Sequence, residues 1–154
     1  MNMKIKQMNQ NAGLTLIESL LAIVIIAIVA LGSLSYQYLG VKQDKMALVT
    51  LAATRIGQLV LEDWKSTGGV ADYSPVPLQV GFQAGTGGSY LITIDGVAFS
   101  TSLAYNDIAT DAAAGITLRQ IAATIRWRSD LGTGTIGSSD PSIVLTTSVR
   151  KDKD

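Results

Sequence analysis

The stretch NAGLTLIESLLAIVIIAIVALGS, residues 11–33, decides how the chain is organised, because it sets one carboxylate, Glu18, inside an apolar run long enough to enter a bilayer. As a helix rising about 1.5 Å per residue, residues 14–31 span roughly 27 Å, close to the hydrocarbon thickness of a membrane. Lys4 and Lys6 precede the run and no acid comes before Glu18. The positive-inside bias therefore keeps the short leader in the cytoplasm and sends the rest of the chain outward. A carboxylate near the end of a membrane helix costs about 2 kcal/mol or more unless it is neutralised or paired, so Glu18 requires a partner. A cut after Gly13 would make Leu14 the N-terminus and set its ammonium one helical turn from Glu18, as a partner within the subunit or in a neighbour. A secretory signal peptide is the competing reading, but Leu31-Gly32-Ser33-Leu34-Ser35 is a poor cleavage site and the helical pattern continues past it.

The rest of the composition excludes much. The 154 residues carry 12 basic and 12 acidic side chains and contain neither cysteine nor histidine. Thiolate nucleophiles, disulfides, imidazole metal sites and histidine-based triads are therefore excluded. The balanced charge gives no electrostatic case for a nucleic-acid partner. Arg126, Arg128, Arg150, Lys151 and Lys153 lie near Trp127, but Asp130, Asp140, Asp152 and Asp154 offset their field. No cofactor and no metal are expected: Asp95, Asp107, Asp111 and Asp140 lack calcium-ligand spacing, and YND and SSDP read better as turns.

Gly13-Leu14-Thr15-Leu16-Ile17-Glu18, with its basic leader and apolar helix, resembles the class III signal of type IV pilins and type II secretion pseudopilins. The resemblance implies that a prepilin peptidase cuts between Gly13 and Leu14 and methylates the new amine. It also implies that Glu18 matches the register of one subunit to the N-terminus of its neighbour in the growing filament. The implied partners are that peptidase, other pilin or pseudopilin subunits, an inner-membrane assembly platform, and the lipid bilayer before assembly. The implied location is the inner membrane first and a pilus or pseudopilus afterwards. Family members most often have phenylalanine where this chain has Leu14.

No proline occurs before Pro75, so the helix is expected to continue to about Trp64. Gly32, Ser33, Ser35 and Gly40 form its weakest section, where melting on assembly is an open question. Beyond it, Val49, Ala52, Ala53, Ile56, Leu59 and Val60 recur at spacings of three and four and predict a face to bury against a head. Residues 66–77 end the helix with glycines and prolines and open a long variable loop. Alternation predicts strands at 90–94, 121–128 and 142–149, a weaker one at 97–102, and a strand-prone but ambiguous 113–122. In IAATIRWRS, Ile121, Ala123, Ile125 and Trp127 share the face expected to be buried.

The fold class expected is α+β, a long N-terminal helix packed on a small antiparallel head, as in pilins. The divisions are a leader at 1–13, a membrane or filament-core helix at 14–40, an amphipathic helix at 41–65 and a head at 66–154. The closing segment TIRWRSDLGTGTIGSSDPSIVLTTSVRK is similar to the last hairpin of PilV-type minor pilins. The functional expectation is a structural, non-enzymatic filament subunit. Pilus, secretion pseudopilus and competence filament stay open, as does major or minor rank. The rival from another class is a periplasmic binding or enzymatic domain on an unprocessed anchor.

Overall fold

The structure, a computed structural model, describes residues 11–78, 80–132 and 134–152, and the backbone alone at 11–14. One helix, α1 (Asn11–Ser66), is followed by β1 (Gln83–Ala84), β2 (Ser89–Ile94), β3 (Val97–Asp111), β4 (Ile116–Trp127) and β5 (Ser142–Asp152), with short 3-10 turns at Val76–Leu78 and Thr86–Gly88. The architecture is the expected α+β arrangement, with the strands in one antiparallel sheet of order β1-β2-β3-β4-β5. The chain divides into two compact units, one ending at Lys45 and the other beginning at Met46.

α1 crosses Gly32 and Gly40 without a break. Several of its hydroxyl side chains bond one turn back: Ser19 Oγ donates to Thr15 O at 2.8 Å and Ser35 Oγ to Leu31 O at 3.0 Å. The helix ends where Gly68 and Gly69 take left-handed φ of 73° and 68°, their N–H groups donating to Lys65 O and Trp64 O at 3.0 Å. Only glycine adopts that conformation cheaply, so the chain reverses here.

In the second unit, Val49, Ala53, Ile56, Val60 and Trp64 of α1 are buried with Ile92, Phe99, Ile121, Ala123, Ile125, Trp127 and Val149 of the sheet. The two-residue period sends these strand side chains to one face and leaves the other wet. Helix and sheet approach closely at Gly57: a Cβ there would strike Leu145 and come within 2.7 Å of Ile125 Cδ1. Trp64 locks the corner, since its Nε1–H donates to Val70 O at 2.7 Å and its ring stacks on Tyr73 with centroids 5.4 Å apart. Tyr73 Oη in turn donates to Asp63 Oδ2 at 2.8 Å. Loss of solvent, and next the Asp63 carboxylate, push the Tyr73 phenol above the ordinary tyrosine range.

Three expectations need correction. The stretch foreseen as a weak strand at 97–102 is the start of β3, the longest described strand. Tyr105, Asn106 and Asp107 lie inside that strand and not in a turn, because Ile121, Gln120 and Arg119 of β4 pair with them. Leu59 was expected in the core but is 39% exposed. β1, with two residues, is too short to cover this flank, so Leu59 lines an open apolar groove with Leu48, Leu51 and Val80. The ambiguous 113–122 resolves into a turn followed, from Ile116, by β4.

Candidate functional site

The residues singled out in the sequence gather on the first turns of α1. Gly13 and Leu14 belong to its backbone, while the Leu14 side chain, like Lys4 and Lys6, lies outside the described residues. Glu18 is exposed, and among the described residues no basic side chain lies within ion-pair distance of it. Around it Leu16, Ile17, Leu20, Leu21, Ile25 and Ile28 are all more than half exposed. The helix is long and apolar enough to cross a membrane, and among the described residues none covers its most apolar stretch. In water such a surface is unfavourable by about 25 cal/mol per Å² of apolar area, so lipid or other helices must cover it.

Apolar residues face every side of this segment, so it carries no single seam for one partner. Hydrogen bonding within the helix satisfies the backbone, as a membrane interior requires. The unpaired Glu18 is then the one described group in the segment with a strong demand for a charged neighbour. Sequence reasoning missed Tyr36 and Tyr38, which are 80% and 71% exposed at the end of the apolar run, just ahead of Lys42, Asp44 and Lys45. Tyrosines at the border between apolar and charged segments are the usual signal of an interfacial belt, and that signal was present in the order of residues.

The second unit holds a buried charge that no sequence pattern announced. Arg119, on β4, is 6% exposed. Its Nε and Nη2 donate to Asp107 Oδ1 and Oδ2 at 2.6 and 3.0 Å, and its Nη1 donates to Gly69 O at 2.8 Å. Its guanidinium carbon also stands 4.2 Å from the centre of the Tyr105 ring. The bidentate bond to Arg119 holds the Asp107 carboxyl below the ordinary carboxylate range. The same bond raises Arg119. With its fork taken by Asp107 and Gly69, Arg119 is committed to joining the helix terminus to the sheet beside the bulge between Asp107 and Ala109.

Of the other acids earlier weighed as cation ligands, Asp111 and Asp140 serve the backbone. Asp111 Oδ1 accepts from the N–H groups of Ala113 and Ala114 at 3.0 and 3.1 Å, and Asp140 Oδ2 accepts from Gly137 N–H at 2.8 Å. Asp130 pairs with Arg128 and accepts from Gly132 N–H, contacts that hold it down to about 2. Among the described residues no group of three or more acids is placed to share a metal ion. Trp127 is buried, as its place in the alternation predicted.

Residues 8–34 match the family described as the prokaryotic N-terminal methylation motif. This match supports a type IV pilin-like prepilin, a family of structural and not enzymatic proteins that are processed by prepilin peptidase and assemble with other pilin subunits. The motif and the long apolar helix are consistent with anchoring in the inner membrane and later incorporation into a pilus. Comparison with curated proteins and comparison with solved structures return no match for the chain.

Proposed function

We propose that the chain is a structural subunit of a type IV pilus or pseudopilus, of the minor-pilin kind, matured by cleavage after Gly13 and N-methylation of Leu14. The observation that carries this reading is Glu18: a carboxylate with no ion-pair partner among the described residues, on an uncovered apolar helix, five residues after Gly13 and inside the matched segment. Cleavage creates an ammonium at Leu14, and pairing it with Glu18 removes the cost of leaving that carboxylate in an apolar bundle. Within one subunit the two groups are one turn apart. Between subunits, the same attraction fixes the axial register of an incoming helix while the surfaces at 14–40 exclude water and lipid.

Lys4 and Lys6 orient the precursor with its head outward, and the inner-membrane assembly platform receives it there. The segment 41–65 then carries the head, 66–154. The minor-pilin rank rests on the closing hairpin, where Trp127 ends β4 and the Thr-rich β5 returns beside it. On this reading the chain is the substrate of an enzyme and holds no reaction of its own.

Replacing Gly13 with leucine tests the proposal. The expected result is a precursor that keeps its leader, remains in the membrane and is absent from filaments. Normal processing of Gly13→Leu would overturn the reading and favour a head on an ordinary anchor.

A further inference from the structure

We propose that one face of α1 just beyond its apolar run, formed by Tyr38, Lys42 and Lys45, binds the phosphate of an anionic phospholipid while the subunit is still in the membrane. The proposal rests on the membrane stage of the filament-subunit reading and names the lipid chemistry that α1 selects there.

At about 100° per residue, Leu31, Leu34, Lys42 and Lys45 all lie within about 40° of Tyr38 around the helix axis. All five side chains are exposed, Leu31, Leu34 and Tyr38 at 66%, 61% and 71%. Read along the axis, this face therefore changes from aliphatic to aromatic to basic. A phospholipid changes in the same order, from acyl chain through the ester region to the phosphate, so one helix face and one lipid match along their lengths.

The direction of helical side chains reinforces the match. They tilt toward the N-terminus of their helix, which here is the membrane end, so Lys42 and Lys45 lean back over the turn below them, toward Tyr38 and the lipid surface. Tyr38 lies about 6 Å beyond Leu34 along the axis, and Lys42 about 6 Å beyond Tyr38. The headgroup layer outside the hydrocarbon is about 5–8 Å thick. Tyr38 thus lies within it, and Lys42 reaches back into it.

Charge decides which lipid fits. Among the described residues neither Lys42 nor Lys45 has an ion-pair partner. Asp44, the one acid between Glu18 and Glu62, stands about 120° from Tyr38 around the axis. The face therefore carries two positive charges without a counter-charge of its own, and its complement is an anion. Leu31 and Leu34, below the lysines on the same face, select an anion that carries acyl chains over an acidic protein side chain. Tyr36 supplies the contrast: at about 160° from Tyr38 it lies on the opposite side, where Gly40 and Gln43 follow it and no lysine does.

The test takes the protein from its native membrane into detergent, adds equal amounts of phosphatidylglycerol and phosphatidylcholine, and counts the retained lipids by native mass spectrometry. The expected result is phosphatidylglycerol retained over phosphatidylcholine by about fivefold or more, roughly the gain for one lysine near an anionic lipid surface. Lys42→Gln combined with Lys45→Gln should bring the ratio close to one. Tyr38→Ala should lower it, while Tyr36→Ala, on the opposite side, should leave it unchanged. All four positions are exposed, so the helix itself is not at stake. No preference in the unaltered chain, a preference kept by the double lysine variant, or equal losses from the two tyrosine variants would overturn the proposal. N-terminal mass analysis of the same sample separates the two readings. A chain beginning at Leu14 without a lipid preference refutes only the phosphate site, and a lipid preference in a chain still beginning at Met1 refutes only the filament reading.

Discussion

The two ends of α1 share one secondary structure and differ in what surrounds it. Before Lys45 the described apolar side chains of the helix face outward on every side, whereas from Val49 to Trp64 one face is sealed by the sheet. Hydrogen bonding is the same in both. The difference teaches that the second part draws its stability from its own chain, while the first is a surface made for covering by lipid or by other helices.

Truncation should separate the parts most sharply. Trp64→Ala removes a buried ring, its stack on Tyr73 and its bond to Val70 O, and is expected to cost about 3–5 kcal/mol. Ile25→Ala in the uncovered part should leave the melting temperature of the head, followed by near-ultraviolet circular dichroism in detergent, unchanged. Equal losses would mean that the two parts fold as one unit.

A single substitution made twice sharpens the contrast. Gly57→Ala forces a methyl against Leu145 and Ile125, at an expected cost of about 1–3 kcal/mol by overpacking. Gly40→Ala meets nothing within 4 Å and should stabilise the helix by up to about 1 kcal/mol. Opposite signs in denaturant titrations support the comparison, and like signs break it.

Two smaller effects depend on pH and belong to the second unit alone. The Asp107 carboxyl is depressed in the folded state by its bonds to Arg119, so its contribution is present at neutral pH and is lost as pH falls below about 4. Asp107→Asn should flatten that acid limb of the melting curve. The Tyr73 phenol is raised by burial and Asp63, so its contribution is present below the ordinary tyrosine value and is lost as pH climbs past about 10. Tyr73→Phe should flatten the alkaline limb.

The same contrast governs how much could be read from residues alone. α1 was legible because its signals are local: a proline-free run, an apolar block, then a three-and-four spacing that stops near Trp64. The buried face of β4 was legible for the same reason, in the alternation of Ile121, Ala123, Ile125 and Trp127. The distal part of β3 was not, because Tyr105-Asn106-Asp107 has turn chemistry that pairing with β4 overrides. Arg119 was equally hidden: its partners Asp107 and Gly69 are 12 and 50 residues away in the chain. Leu59 fitted the helical period, yet its burial depends on how far β1 reaches. Of the candidate site, the part that rests on neighbouring residues was visible, and Tyr36 and Tyr38 were overlooked though their position announced them.

The most direct measurement is intact-mass and N-terminal peptide mass spectrometry of the protein recovered from its native membrane or filament fraction. The account predicts a chain beginning at Leu14 with one methyl group on its amine, the charge that answers Glu18. A chain beginning at Met1, or cut after the apolar run, would contradict it and leave Glu18 as a carboxylate at the border of an ordinary anchor.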